Sequence, residues 1–226
     1  MMAVVTKKLL PAALVIACLV ILVWALLRAN AAWHYIAAQS IAEPLFAASG
    51  GDVAAFEQSE DHIQTALRRL PSNPDYHDFS GRLLVLKASQ PGVVGVERRE
   101  LLESAAAHYR QSLSVRRLWP YSWVNLLSVK DKLGQVDMEF NHALRRSAET
   151  GPWEPWVQLQ LIDSGLRHWG RLGRAEQALV RQQVSSALKV RPRQVFAVIK
   201  NYGRPDLICT NESGYRQIKR WCESTM

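Results

Sequence analysis

Cysteine is scarce. Three cysteines in 226 residues exclude a small scaffold held by disulfides. Only Cys209 and Cys222 lie beyond residue 30, and without a C-x-x-C spacing they make no metal site by themselves. Catalytic signatures are missing too. The chain has no G-x-S-x-G, no phosphate-binding glycine loop, no dinucleotide fingerprint and no H-E-x-x-H. Its histidines, His34, His62, His77, His108, His142 and His168, stand singly. Strand-like alternation is rare, which argues against a sheet domain. Charge is absent from one long stretch, the nineteen residues Leu9 to Leu27.

That stretch is what the chain has instead. Roughly 20 apolar residues in a helix cross a hydrocarbon layer about 30 Å thick, and in lipid only a helix satisfies the backbone of a single segment. Lys7 and Lys8 precede the run, and Arg28, Trp33 and Tyr35 follow it. Paired lysines on the short side favour a cytoplasmic N-terminus, with the aromatics at the far interface. Residues 30–226 then lie outside the cytoplasm, in the periplasm of a Gram-negative host. Ala29-Asn30-Ala31 fits a small-x-small cleavage pattern, although cleavable apolar cores run to about 7–15 residues. Val15-Ile16-Ala17-Cys18 has the form of a lipobox, but Cys18 sits inside the run instead of at its end.

The basic balance is uneven. Residues 30–163 carry 13 basic against 16 acidic side chains, whereas residues 164–226 carry 12 against 4. Such a block can meet anionic lipid headgroups, an acidic polysaccharide, nucleic acid or an acidic protein. The expected side of the membrane argues against nucleic acid. Alternatively the charges only solvate the surface. An oxidising compartment would permit a Cys209–Cys222 disulfide.

Beyond the anchor the chain reads as all-α. Breaks fall at Ser49-Gly50-Gly51, Pro71 to Pro74, Gln90-Pro91-Gly92, Trp119-Pro120, Gly134, Gly151-Pro152, Gly170 to Gly173, Arg191-Pro192 and Gly203 to Pro205. The segments between them have helical length. One pattern recurs four times, as Ser59-Ile63-Ala66-Leu67, Ala105-Tyr109-Ser112-Leu113, Val136-Phe140-Ala143-Leu144 and Val180-Val184-Ala187-Leu188. Its offsets place small and large side chains on one helix face. After each copy comes a proline break and an aromatic-led helix: Tyr76 and Phe79, Trp123 and Leu126, Trp156 and Leu159, Phe196 and Ile199. This is the arrangement of tetratricopeptide-type hairpins, but Ala66, Ser112, Ala143 and Ala187 are 46, 31 and 44 residues apart, against a repeat of about 34. The expectation is a degenerate array of about three and a half hairpins; a generic helical bundle is the alternative. The expected order is a cytoplasmic N-terminus (1–8), a transmembrane helix (9–29), a juxtamembrane helix or linker (30–51), a helical-repeat domain (52–203) and a basic tail (204–226).

No catalytic set, metal site or cofactor site emerges. Asp75 and Asp78 fall at a helix start, where carboxylates offset exposed amides. The aromatic–basic junctions carry more information: Arg116, Arg117, Trp119, Tyr121 and Trp123; Arg145 and Arg146 leading to Trp153 and Trp156; and Arg167-His168-Trp169. Exposed Trp and Tyr faces stack on sugars, and arginine binds carboxylate or phosphate bidentately. The plainer reading is that arginines suit helix C-termini and tryptophans fill the core.

The run Arg117-Leu118-Trp119-Pro120-Tyr121-Ser122-Trp123, then Lys130, Gly134, Phe140 and Ala143-Leu144, then Gly151-Pro152-Trp153-Glu154-Pro155-Trp156-Val157-Gln158, resembles the VpsP family of exopolysaccharide biosynthesis proteins. The single anchor, the size and the late cysteine-bearing tail agree with it. The resemblance implies a pathway and not a reaction, and carries no catalytic residues. The expectation is an anchored, non-enzymatic accessory protein contacting polysaccharide polymerase or export components. The alternatives are an assembly factor for secretion, pili or cytochrome maturation, and a polysaccharide-modifying enzyme.

Overall fold

The computed structural model describes residues 2–48, 51–209 and 216–225; for residues 2–12 and Gln217 it describes the backbone alone. Ser49 and Gly50 of the first expected break lie outside the described residues. The regular structure is helical throughout: α1 (Met2–Ala47), α2 (Val53–Arg69), α3 (Pro74–Ala88), α4 (Gly95–Val115), α5 (Pro120–Lys132), α6 (Met138–Thr150), α7 (Pro155–Arg167), α8 (Arg174–Val190), α9 (Pro192–Asn201) and α10 (Arg216–Thr225), with short 3₁₀ turns at Trp169–Arg171 and Pro205–Leu207. No strand occurs among the described residues.

α1 is one helix through both the apolar run and the juxtamembrane stretch. It is long and apolar enough to cross a membrane. Its side chains from Leu14 to Leu27 are exposed. Further on, Ala31, Ala38 and Ala42 are fully buried on one face, where their small size lets α2 approach closely. There the Ser59 hydroxyl donates to the Ala38 carbonyl at 3.0 Å and His34 meets His62 at 2.9 Å, which fixes α1 and α2 as antiparallel. The first hairpin therefore takes its first helix from residues 31–47. The array has four pairs, α1/α2, α3/α4, α5/α6 and α7/α8, with α9 stacked after them.

The recurring motif falls on the second helix of each pair, except that Val136 of the third copy precedes α6. Ile63, Tyr109, Phe140 and Val184, with Ala66, Ser112, Ala143 and Ala187, are all buried. Each large apolar member contributes about 1.5–3 kcal/mol of burial, and its small neighbour opens room for the adjoining helix. The aromatic-led helices α3, α5 and α7 are the first members of their pairs, and α9 follows the last pair. Each odd-numbered helix also touches the next odd one, so these helices form a continuous inner layer.

A second repeated device closes the turns between pairs. Three residues after the helix-opening Pro74, Pro120 and Pro155 stand His77, Trp123 and Gln158. Each reaches the carbonyl six residues back: His77 Nε2 to Pro71 O at 2.7 Å, Trp123 Nε1 to Arg117 O at 2.8 Å and Gln158 Nε2 to Pro152 O at 2.5 Å. Imidazole, indole and amide thus do one job, each satisfying a turn carbonyl just beyond the end of the preceding helix. Elsewhere Asp52, Asn73 and Asp137 cap α2, α3 and α6 through side-chain oxygens. Gly134, at φ +68°, lets α5 end in a left-handed turn.

At the C-terminus, Cys209 and Cys222 are joined as a disulfide. Ile208, Ile218 and Cys222 are buried with the main core, and Trp221 meets Phe196 edge-on at 5.4 Å.

Candidate functional site

The inner layer leaves a groove of about 680 Å³. Tyr35 and Phe46 enter it from α1, Phe79 and Arg82 from α3, and Trp156 from α7. Tyr121, Asn125 and Ser128 line it from α5, at offsets of four and three that keep them on one face. Trp119 completes the wall: its ring lies 5.4 Å from Tyr121, which stacks on Trp156 at 6.1 Å. Trp119 and Trp156 are 41% and 44% exposed, so part of each ring stays open to a ligand. Arg82 lies over Phe46 at 4.7 Å.

A polar network makes the floor. Arg116 donates to Asp75 and to Asp78 at 2.7 Å each, and lies over the Trp119 ring. Ser122 donates to both Asp78 oxygens at 2.7 and 2.8 Å, and meets Ser112 at 3.1 Å. Burial pushes the Asp78 carboxyl above its ordinary value, against the pull of the Ser122 and Ser112 hydroxyls and Arg116. Beneath it Tyr109 is fully buried, which raises its phenol steeply. Tyr121 is raised as well, first by its hydrogen bond to Glu154 at 2.6 Å and then by burial.

The sequence-selected junctions divide. Arg116, Trp119, Tyr121 and Trp156 share the groove. Arg117, Trp123 and Arg146 lie instead beside the even-numbered helices, in a shallower hollow of about 540 Å³. In that hollow Arg110 grips Glu139 bidentately at 2.6 and 2.8 Å, holding its carboxyl below the usual range. Buried Lys130 pairs with Asp137 at 2.6 Å, and Arg146 pairs with Glu149 at 2.7 Å. The hollow's charges are thus mostly satisfied internally. Arg145 is held by Glu176 at 2.7 Å. Trp169 lies between Arg181 and Arg204, 5.0 and 4.3 Å from its ring. Trp153 points into solvent, 75% exposed.

Asp78 works differently from the expectation at a helix start. Asn73 caps α3, and the Asp78 carboxylate turns across to α4 and α5. Tyr35, expected as an interfacial aromatic after the apolar run, lines the groove and packs on Tyr76; Phe46, Arg82, Asn125 and Ser128 carried no local motif. Their helical spacing was the one signal available, and it needs the neighbouring helices to mean anything. Among the described residues no three His, Cys, Asp or Glu side chains converge as a metal site would require. The groove offers flat rings, neutral hydrogen-bonding side chains at Ser89, Asn125 and Ser128, the Asp75 and Asp78 carboxylates and the exposed cation Arg82, an arrangement suited to holding a chain segment by contact.

Fold and groove together define a class: an all-helical stack of paired helices carried on a long apolar N-terminal helix. Comparison with protein-family models and with curated proteins gives no match to this chain.

Proposed function

We propose that this chain is a membrane-anchored, non-enzymatic accessory protein of exopolysaccharide biosynthesis or export, holding polymerase or export components together on the periplasmic face of the inner membrane. On this reading α1 spans the membrane with its N-terminus in the cytoplasm, and the array is a degenerate tetratricopeptide-type solenoid working through its inner groove. The observation that carries the proposal is the position of that groove. Its lining starts at Tyr35, eight residues beyond Leu27, or about 12 Å of helix. A membrane protein's extracytoplasmic segment would be within its reach.

The test is deletion of the gene in a strain expressing the polysaccharide, complemented with the wild-type chain or with Trp119→Ala/Trp156→Ala. Loss of surface polymer, restored by wild type and not by a normally abundant groove variant, is expected. Normal polymer in the deletion strain would overturn the proposal. Co-purification from detergent-solubilised membranes identifies the components held, and secretion, pilus or haem-handling proteins in their place would move the assignment to another envelope system.

A further inference from the structure

The turns that join one helix pair to the next lie on a single edge of the array, and we propose that this edge docks on anionic lipid headgroups of the bilayer that α1 enters. The inference rests on reading α1 as membrane-spanning.

Chain direction gives the geometry. α1 leaves the apolar run at Leu27 and rises to Ala47; α2 returns antiparallel to it, so the turn between α2 and α3 faces back toward the lipid. Tyr76, in the first turn of α3, packs on Tyr35 with ring centroids 4.8 Å apart. Arg28, the first residue after the apolar run, is near enough to act electrostatically on the Tyr76 hydroxyl. The corresponding later turns are tied to this one in sequence. Arg116 reaches Asp75 at 2.7 Å, Arg146 reaches the Arg117 carbonyl at 3.1 Å, and Tyr121 reaches Glu154 at 2.6 Å.

The edge has the composition of a lipid-contacting surface. Arg68, Arg69, Arg117, Lys189 and Arg193 are exposed on or beside these turns and pair with no carboxylate among the described residues. Two residues before Pro120, Pro155 and Pro192 stand Leu118, Trp153 and Val190, exposed at 75%, 75% and 60%. Three turns thus put a large apolar side chain at the same position, pointing outward. Protein folding gains nothing from that, but a headgroup region accepts indole and aliphatic tips beside arginine and lysine. The opposite edge differs. Exposed apolar side chains occur there too, at Val94, Val96 and Met138, but its exposed bases Arg98, Arg99, Lys132, Arg171 and Arg174 stand among Glu97, Glu100, Asp131, Asp137 and Glu139. On the docking edge, by contrast, Asp75, Glu149 and Glu154 are already bound by Arg116, Arg146 and Tyr121. Charge complementarity and the common level of α1 and the turns both favour the bilayer over a soluble acidic partner.

The experiment uses the full chain in vesicles, with or without phosphatidylglycerol in a phosphatidylcholine background. One sample carries a fluorophore on native Cys18, the free and exposed cysteine in the apolar run. The others, in a Cys18→Ser background, carry it on Leu118→Cys or Trp153→Cys, and for comparison on Val94→Cys or Met138→Cys at exposed sites of the opposite edge. An acyl-chain quencher should reach the Cys18 label. A headgroup quencher should reach labels at 118 and 153 several-fold more strongly than those at 94 and 138. That contrast should need phosphatidylglycerol, and it should fall with salt and with Arg69→Glu/Arg117→Glu/Arg193→Glu, helix content being unchanged. Quenching at 118 and 153 no stronger than at 94 and 138, with Cys18 in the lipid, would overturn the docking proposal alone. An edge contrast unaffected by lipid charge and by the three reversals would exclude anionic headgroups as its cause. Failure of the Cys18 label to meet the acyl-chain quencher would overturn the membrane reading and the docking proposal together.

Discussion

His77 and His108 face each other through their Nδ1 atoms at 2.9 Å. The other nitrogen of His77, Nε2, lies 2.7 Å from the Pro71 carbonyl, which can only accept, so Nε2 carries the proton. With the proton at Nε2, the Nδ1 of His77 accepts from the Nδ1–H of His108. The arrangement recurs one pair earlier, where His34 and His62 also meet through Nδ1 at 2.9 Å. His62 and His108 each precede the large residue of the repeated motif, Ile63 and Tyr109.

Acid should weaken the array through His108. Burial, and after it the neighbouring His77, lowers His108 to about 4 from 6.5. The unfolded chain binds the proton first, so this contribution is complete above about pH 6.5 and is lost as pH falls toward 4. After discounting for the partly exposed ring, it amounts to about 2 kcal/mol. Urea unfolding at pH 7.5 and pH 4.5 should show the loss, and His108→Asn, which retains an N–H donor, should flatten it. An unchanged acid limb in the variant would assign the pH dependence to other groups.

Gly81 packs directly under Tyr109, where an added Cβ would lie 2.7 Å from ring carbons. Alanine normally improves a helix interior by up to about 1 kcal/mol. Here overpacking outweighs that gain, and Gly81→Ala should cost about 1–3 kcal/mol. A thermal melt checks the sign: a raised midpoint would show that the ring yields freely.

Asp78→Ala should cost about 2–4 kcal/mol, because it strips the carboxylate from Arg116 and from the Ser122 hydroxyl in a largely buried network. Asp78→Asn keeps an acceptor and removes a charge that burial already disfavours, so it should cost clearly less. Equal losses in denaturant titrations of the two variants would show that charge, and not hydrogen bonding, holds the network together.

Reduction of Cys209–Cys222 should release α10 while the four helix pairs stay folded. In the chain-entropy account a loop of this length is worth about 3 kcal/mol. Hydrogen exchange with and without reductant should speed up over residues 216–225 and leave α2–α8 unchanged. Equal acceleration in α7 and α8 would mean that the tail is part of the cooperative unit.

Much of the architecture could be read from local signals. Proline and glycine mark nearly every helix boundary because they act on their own residues. The small–large motif is visible because one helix face has to satisfy one neighbour. The groove was only partly legible. Tyr121 and Trp123 stand two residues apart in one aromatic run, yet two residues of helix are about 200° of rotation, and they end on different sides of the array. Asp78 had the sequence context of a dipole-offsetting acid, and its work is done 38 and 44 residues away at Arg116 and Ser122. The histidine pairs join residues 28 and 31 positions apart, a relation that no local spacing rule detects. The start of the array was hidden because apolarity dominates the reading of α1, while the buried face of Ala31, Ala38 and Ala42 is marked only by small size.

The unbroken course of α1 has a mechanical consequence. With no joint between its apolar part and its packed part, the helix acts as a lever arm. A pull or twist on the four-pair stack would pass into the tilt of α1 within its surroundings before any swivel could absorb it. A flexible Gly-Ser insertion after Arg28 would decouple the two, leaving the array folded but free to turn.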